Sequence, residues 1–593
     1  MPDYRAPLTD IDFLLFDVFK LESFWASLNG VEDIDTDTAR AIIEEASKLC
    51  EQVLAPLDSV GDEQGCTWHE GKVTSPDGFK AAYQHFSDGG WGGLSGSPDF
   101  GGMGLPKSLS AVVEEMMQGA NMAFGLAPML TAGACLAINA HANEALKTRY
   151  LEAMYSGRWS GAMDLTEPHA GTDLGLIRTK AVPQDDGSYT LTGTKIFITW
   201  GDHDLSENII HLVLAKTPGA PKGSRGISLF LAPKVLINDD GSLGNLNALS
   251  CGSLEHKMGI KGSATCLMNF DGAKAWLVGE ENQGLTCMFT MMNYERLVVG
   301  IQGVGVADAS YQTALSYARE RRQGRSPSGS QEPDKAADNL LVHPDVRRML
   351  LNIKSLTEAS RAFYLYVATW LDRAKYTQDE SERQLADTMV ALLTPVAKSF
   401  LTDRAFDSCV SGQQVLGGHG YIHDWGQEQH VRDVRITQIY EGTNGVQAMD
   451  LMVRKTLATG AAPLKQLLLE MRTFCEAERV KALDPGLVEV FMLACECLDT
   501  TTLALLEQSK NDPCTAGAGA VDYQDMLGYI LHAYMWLKML EAIESYRGAD
   551  EFIQSKRACA NFYFAKILPE IYSLEQKILA GSECVMSLHD EAF

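Results

Sequence analysis

The spacing of apolar residues changes twice along the chain, and this double switch restricts the possible folds more than any other feature. The segments ARAIIEEASKLCEQVLAPL, from Ala39, and SLSAVVEEMMQGANMAF, from Ser108, carry apolar residues at helical spacing. Residues 89–106 interrupt them as a Gly/Pro loop. Between about 161 and 280 the runs YTLTGTKIFIT, NIIHLVLAKT, GISLFLAPK and CLMNFDGAKAWLV are short, β-rich and separated by Gly, Asn, Asp and Pro. From about 285 the helical period returns, beginning with one long helix that ends in RERR. Two more long helices follow after a polar stretch, residues 327–338, which reads as an exposed loop. Long helices in series indicate an antiparallel bundle. The expected fold class is therefore mainly α with a central β-barrel domain. Residues 1–160 form an N-terminal helical domain, 161–280 the barrel, 281–460 a helical bundle and 461–593 an additional C-terminal helical domain.

Composition narrows the function. Fifty basic against 77 acidic side chains give a formal charge of −27. Nucleic-acid binding needs cations at the phosphates, so this charge argues against it. It argues equally against docking on an anionic membrane. Thirteen Cys are scattered without a CxxC, which suits reduced thiols. The N-terminal MPDYRAPLTDIDFLLF has one Arg and three Asp and lacks the pattern of a secretory leader. No uninterrupted apolar run reaches the ~18 residues of a membrane span. A cytoplasmic location is expected.

Four segments carry a chemical signal. LTEPHAGTD, residues 165–173, is a loop with hydroxyls and turn residues that could meet a ligand. KIFITWGD, residues 195–202, reads alone as core strand and turn. QVLGGHGYIHDWGQEQHVRD, residues 414–433, has glycines that let a ligand approach the backbone. It also gathers His419, His423 and His430 near Asp424 and Glu428, but without the spacing of a metal motif, and no metal is expected. In IYEGTNGVQAMDLMVRK, from Ile439, Thr443 and Asn444 can cap a helix, and Glu441 read alone only complements its dipole. Gly303-Val-Gly305 imitates a dinucleotide fingerprint but lies inside a helical pattern, not after a strand.

Taken together, in this order, the four segments resemble the acyl-CoA dehydrogenase family over about residues 40–455. TEPHAGTD is similar to the family's flavin loop, KIFIT to its strand leading to the flavin ring, QVLGGHGY to its cofactor glycines and IYEGTNGVQ to its catalytic segment. The N-terminal APLTDIDFLLF and the extra C-terminal region resemble a longer bacterial-type subgroup that includes 3-methylmercaptopropionyl-CoA and fatty-acyl-CoA dehydrogenases. The resemblance implies bound FAD and oxidation of an acyl-CoA to 2,3-enoyl-CoA. It assigns Thr166 and Thr199 to the flavin ring with Phe197 beside it, and Arg321 to the pyrophosphate. Gln414, Gly417 and Gly418 would hold the ADP half across a subunit boundary, with Thr443 nearby. Thr172 and Arg296 would meet the CoA portion, and Tyr440 would line the acyl pocket. Glu441 would be the base, in an apolar pocket that strengthens it, while its own N–H polarises the thioester carbonyl. Glu295 matches the position where some relatives place the base instead.

Three departures limit the transfer. RQG follows Arg321 where many members have an aromatic residue, Gly445 replaces a common Gln, and Phe197 stands where several members have Trp. The resemblance also implies an electron-transferring flavoprotein as electron acceptor, and a homodimer in which the extra domain covers a second interface. Two alternatives share the fold: an acyl-CoA oxidase, and a DNA-associated flavoprotein. The second would need a basic face on the C-terminal domain, which has eleven basic against twenty acidic side chains.

Overall fold

The computed structural model describes residues 4–481 and 483–593, so the first three residues of the N-terminal segment lie outside it. The chain divides into two compact units, Glu45–Val298 and a second made of residues up to 44 together with Val299–Phe593.

In the Glu45–Val298 unit, helices α1 (Lys107–Ala120), α2 (Met122–His141) and α3 (Glu144–Tyr155) precede a sheet. Side chains set the starts of α2 and α3. Asn121 accepts from the Phe124 N–H to cap α2, and Asn143 accepts from Leu146 to cap α3. The strands are β1 (Trp159–Asp164), β2 (Lys180–Pro183), β3 (Tyr189–Thr199), β4 (Asn208–Ala215), β5 (Ser228–Pro233), β6 (Leu249–Leu254) and β7 (Thr265–Val278). Their order is β1-β4-β5-β7-β3-β2, with β6 also on β7.

This order corrects the expected barrel, because the path stays open, with β1 and β2 at its ends. β7 explains the shape. It pairs with β3 from Thr265 to Ala275, with two register shifts, and then with β5 from Trp276 to Val278. One long bent strand thus serves the β3, β5 and β6 ladders without closing the sheet. β4 and β5 are buried at every position, which is why NIIHLVLA reads as continuous rather than alternating.

The second unit is helical. Its main members are α4 (Gly284–Glu320), within which the unit boundary falls, α5 (Pro344–Tyr376) and α6 (Glu380–Leu416). Gly300 and Gly303 let α4 touch α6. A Cβ on Gly300 would stand 2.5 Å from the Ala397 carbonyl oxygen, and one on Gly303 would stand 3.0 Å from the Ala405 Cβ. The glycines of the false fingerprint therefore include a helix-packing contact. Between α4 and α5, buried Asp338 accepts from the N–H groups of Ser326, Gln331 and Glu332 and from Arg325, giving the polar loop an internal post.

Beyond these lie α7 (Asn444–Met449), α8 (Ala462–Glu476), α9 (Pro485–Asn511), α10 (Cys514–Ile543), α11 (Asp550–Phe562) and α12 (Glu570–Leu579). α10 presses on α6. A Cβ on Gly528 would meet the Phe400 ring at 2.3 Å, and that ring meets Tyr529 and His532 edge-on at 4.9 Å each. The N-terminal segment closes over the same region. Phe13 lies 5.1 Å from Tyr546 and 5.3 Å from Phe552. Buried Asp10 accepts from Arg361 of α5 at 2.5 Å and from Lys556 of α11. Burial opposes the charge on Asp10, but the two cations outweigh it and hold the carboxyl below the usual range.

Two helical segments are long and apolar enough to cross a membrane: Met122–His141, whose most apolar window is 78% buried, and Glu380–Tyr421, 72% buried. The expectation concerned a run of apolar residues, and these windows reach their apolarity by mean hydropathy instead. Ala, Gly, Met and Leu raise the mean without forming an unbroken run, and a helix packed on most sides needs no polar face.

Candidate active site

In the Glu45–Val298 unit the loop after β1 is anchored by its own glutamate. Glu167 accepts from the N–H of Arg178 at 2.7 Å, the N–H and hydroxyl of Thr179 at 3.0 and 2.6 Å, and Lys195 Nζ at 2.9 Å. Lys195, wholly buried, also donates to the Leu165 carbonyl. Burial works against the Glu167 charge, yet Lys195 and these donors hold its carboxyl below its ordinary pKa of 4.5. The loop is stitched to β3 where Ile196 N–H donates to the Thr166 carbonyl at 2.9 Å. Thr166 and Thr199 come out half-buried, and Thr172 is exposed on the loop.

Phe197 is turned out by a bulge. The β3–β7 register jumps between the Lys195 and Ile198 pairs, so Ile196 and Phe197 oppose Leu267. Phe197 takes a φ of 59° and leaves its ring 58% exposed. Trp200, at φ 50°, is buried and donates to the Ala123 carbonyl. Non-glycine residues at such angles cost on the order of 1–3 kcal/mol each and collect at functional sites.

On α4, Glu295 is wholly buried. A Cβ on Gly133 of α2 would stand 2.9 Å from its Oε1, so the glycine leaves room for the carboxylate. Arg296 is half-buried and donates to Asn293 at 3.2 Å. In the same unit, Trp91, Glu114, Gln118 and Tyr294 help line a cavity of about 50 Å³. Glu114 accepts there from the Tyr294 hydroxyl at 2.7 Å and from Lys107.

In the other unit, Glu441 and Gly442 form a turn with φ angles of 57° and 83°. Gln447, buried on α7, donates to the Glu441 carbonyl at 3.0 Å. Lys398, wholly buried on α6, donates to the Gly442 carbonyl at 2.8 Å and to Asn444 Oδ1 at 2.7 Å. The Asn444 amide continues to the Ser399 carbonyl, Thr402 and Asp403, and Gln438 also donates to Asp403. Thr443 caps α7 through Val446 N–H. Asn444, read from sequence as a second cap, instead ties the turn back to α6. Tyr440 donates to buried Gln302 at 2.5 Å, and Glu441 is half-buried.

Arg321 follows the end of α4, exposed, and Gln414 is exposed on the last turn of α6. Gly417, at φ 60°, and Gly418 have nothing within 4 Å of a built Cβ, so the backbone there is open to an approaching group. The nearby histidines go to different partners. His419 bonds Tyr317 at 2.9 Å and stacks on Trp425, His423 lies 3.5 Å from Glu428, and His430 is held neutral by burial, with its pKa near 4.

Sequence reading missed Lys398, Gln447 and the Glu167–Lys195 pair. A signal was present for Lys398: one lysine inside the apolar run LLTPVAKSFL of a buried helix needs a partner.

Family descriptions match in chain order. Residues 36–158 match "Acyl-CoA dehydrogenase, N-terminal domain", 162–273 its "middle domain", 282–455 its "C-terminal domain", and 467–589 "Acetyl-CoA dehydrogenase C-terminal like". The 3-methylmercaptopropionyl-CoA dehydrogenase of Ruegeria pomeroyi is 42% identical over 98% of this chain and 99% of its own. The chain belongs to the acyl-CoA dehydrogenase family. A second family relative, the broad-specificity linear acyl-CoA dehydrogenase FadE5 of Mycobacterium tuberculosis, is 33% identical over the full length of both. An acyl-CoA dehydrogenase from Bacillus anthracis, solved complexed with FAD, shares the fold, with a TM-score of 0.75 at 21% identity over 94% of this chain and 90% of that one. The family is FAD-dependent.

Proposed function

We propose that this chain oxidises an acyl-CoA thioester to its 2,3-enoyl-CoA, with Glu441 removing the α proton. The observation that carries the reading is the turn at Glu441. A side chain in left-handed backbone costs roughly 1–2 kcal/mol, and a glutamate that only complemented a helix dipole would need no such strain. Glu295 fits the role less well, because its carboxylate has no exposed surface and is packed against α2. The Glu441 N–H polarises the thioester carbonyl, making the α C–H acidic enough for a carboxylate to take. FAD, when bound, supplies the acceptor for the β hydride.

The residues fit that cofactor. The hydroxyls of Thr166 and Thr199 serve the ring, and outward-facing Phe197 packs beside it. Arg321 pairs with the pyrophosphate. Gln414, Gly417 and Gly418 would hold the ADP half across a subunit boundary, with Thr443 nearby, and the open backbone at the two glycines supports this assignment. Thr172 and Arg296 meet the CoA portion, and Tyr440 faces the acyl chain. We assign an acyl group of the kind named for the Ruegeria relative, which is 42% identical over 98% of this chain. The enzyme works as a cytoplasmic homodimer and passes electrons to an electron-transferring flavoprotein.

Anaerobic flavin bleaching against a panel of acyl-CoAs tests the reading. Glu441→Gln should keep FAD and CoA binding and lose about 10²–10⁴-fold in turnover. An active Glu441→Gln protein beside an inactive Glu295→Gln protein would reassign the base. A purified protein that takes up no FAD would sink the reading altogether.

A further inference from the structure

Lys398 is a wholly buried cation that donates to the Gly442 carbonyl at 2.8 Å and to Asn444 Oδ1 at 2.7 Å. Burying an ammonium is costly unless its donors are bonded, so these bonds matter to the lysine as well as to the turn. The carbonyl is that of Gly442, and Gln447 holds the preceding carbonyl, that of Glu441. Two side chains from different helices thus grip two successive peptides of one left-handed turn. Asn444 and Asp403 complete the chain of bonds: the Asn444 oxygen accepts from Lys398 and its amide donates to Asp403 at 2.8 Å.

Holding these two peptides keeps Glu441 in its left-handed form, at φ 57°, and that form sets how its side chain and its own N–H, which belongs to the preceding peptide, leave the same Cα. We infer that Lys398 and Gln447 are positioning residues for proton abstraction. They hold the Glu441–Gly442 peptides in the left-handed form so that the carboxylate and the N–H face the same thioester. Neither side chain is placed in contact with the substrate. The inference rests on the reading of Glu441 as the base.

A cycle of variants in the FAD-loaded full chain tests it: Lys398→Met, Glu441→Gln and the double variant, with Lys398→Arg as the conservative replacement. Lys398→Met should lower kcat about 10²-fold, the scale of a 1 Å misplacement of a reacting group, with KM changed less than about threefold, since uniform substrate binding is untouched. Lys398→Arg should recover part of the loss. In the Glu441→Gln background, Lys398→Met should lower residual turnover less than about twofold, because no base remains to aim. Equal losses in both backgrounds would show a merely structural lysine and overturn the inference. So would a rise in KM with kcat intact. A fully active Glu441→Gln single variant would instead overturn the reading of the base, which separates the two failures. If Lys398→Met does not yield flavin-loaded protein, Gln447→Met carries the same cycle with the same outcomes.

Discussion

Phe197 and Glu441 both sit in left-handed backbone, yet they are braced by different means. At Phe197 the sheet does the work. Flanking residues pair with β7, Ile196 is tied to the Thr166 carbonyl, and the neighbouring Lys195 is locked into a buried ion pair with Glu167. At Glu441 no ladder is present. The turn lies between a 3₁₀ turn and the short helix α7, and side chains from α6 and α7 hold its carbonyls. The sheet-braced position presents an aromatic surface that need only stay put. The side-chain-braced position carries an acid whose direction matters, and it is set by a few replaceable bonds. Strain of one size can therefore be spread over many backbone bonds or concentrated on two side chains.

The largest expected effect breaks the sheet side. Lys195→Met strands a buried carboxylate, so it should cost ~3–5 kcal/mol, and FAD should be lost along with stability. Urea unfolding with a flavin readout checks this. Coincident loss of flavin and fold is expected, and a stable, flavin-loaded variant would show that the ion pair is not the brace. A smaller, pH-dependent effect comes from the same pair. The folded Glu167 carboxyl titrates below its ordinary 4.5, so its contribution is whole above that pH and is lost as pH falls through the lower folded value. Urea midpoints measured at falling pH should drop more steeply for the wild type than for Glu167→Gln below about pH 4.5.

Next in size is a paired test of strain. Glu441→Gly should be more stable than Glu441→Ala by roughly 1–2 kcal/mol, because only glycine is at ease in left-handed backbone. Phe197→Gly and Phe197→Ala should differ in the same direction. Calorimetric midpoints decide the matter, and a glycine variant no more stable than its alanine partner would mean the turn relaxes when its side chain is removed. The smallest effect belongs to the cap. Thr443→Ala removes the bond to Val446 N–H and should cost about 1 kcal/mol of stability with the catalytic turn still held by Lys398. With FAD in excess, a thermal shift without a matching loss of kcat is the expected pattern, and weaker retention of FAD would accompany it.

The helical regions, the β-rich middle and the acyl-CoA dehydrogenase family were legible in the sequence, because period and motif order are local properties. KIFIT read correctly as a strand, but the bulge that turns out Phe197 depends on the register against β7, which no local pattern encodes. The open sheet was misread as a barrel for the same reason: one strand, β7, divides itself between partners. Asn444 looked like a cap because cap residues are judged by their neighbours in sequence, whereas its amide is claimed by Ser399, Thr402 and Asp403, more than 40 residues away. Lys398 was overlooked because a lysine is assumed to seek water.

The bond between Asp10 and Lys556 joins residues 546 positions apart, and this has a consequence in time. At about 5–20 residues per second on the ribosome, Lys556 is made roughly half a minute to two minutes after Asp10. Throughout that interval the apolar side chains Phe13, Leu14 and Leu15, buried in the finished protein, have no completed surface to cover them. This early helical segment is thus satisfied only late. The newborn chain needs shelter around Phe13 until the helix that carries Lys556 is made.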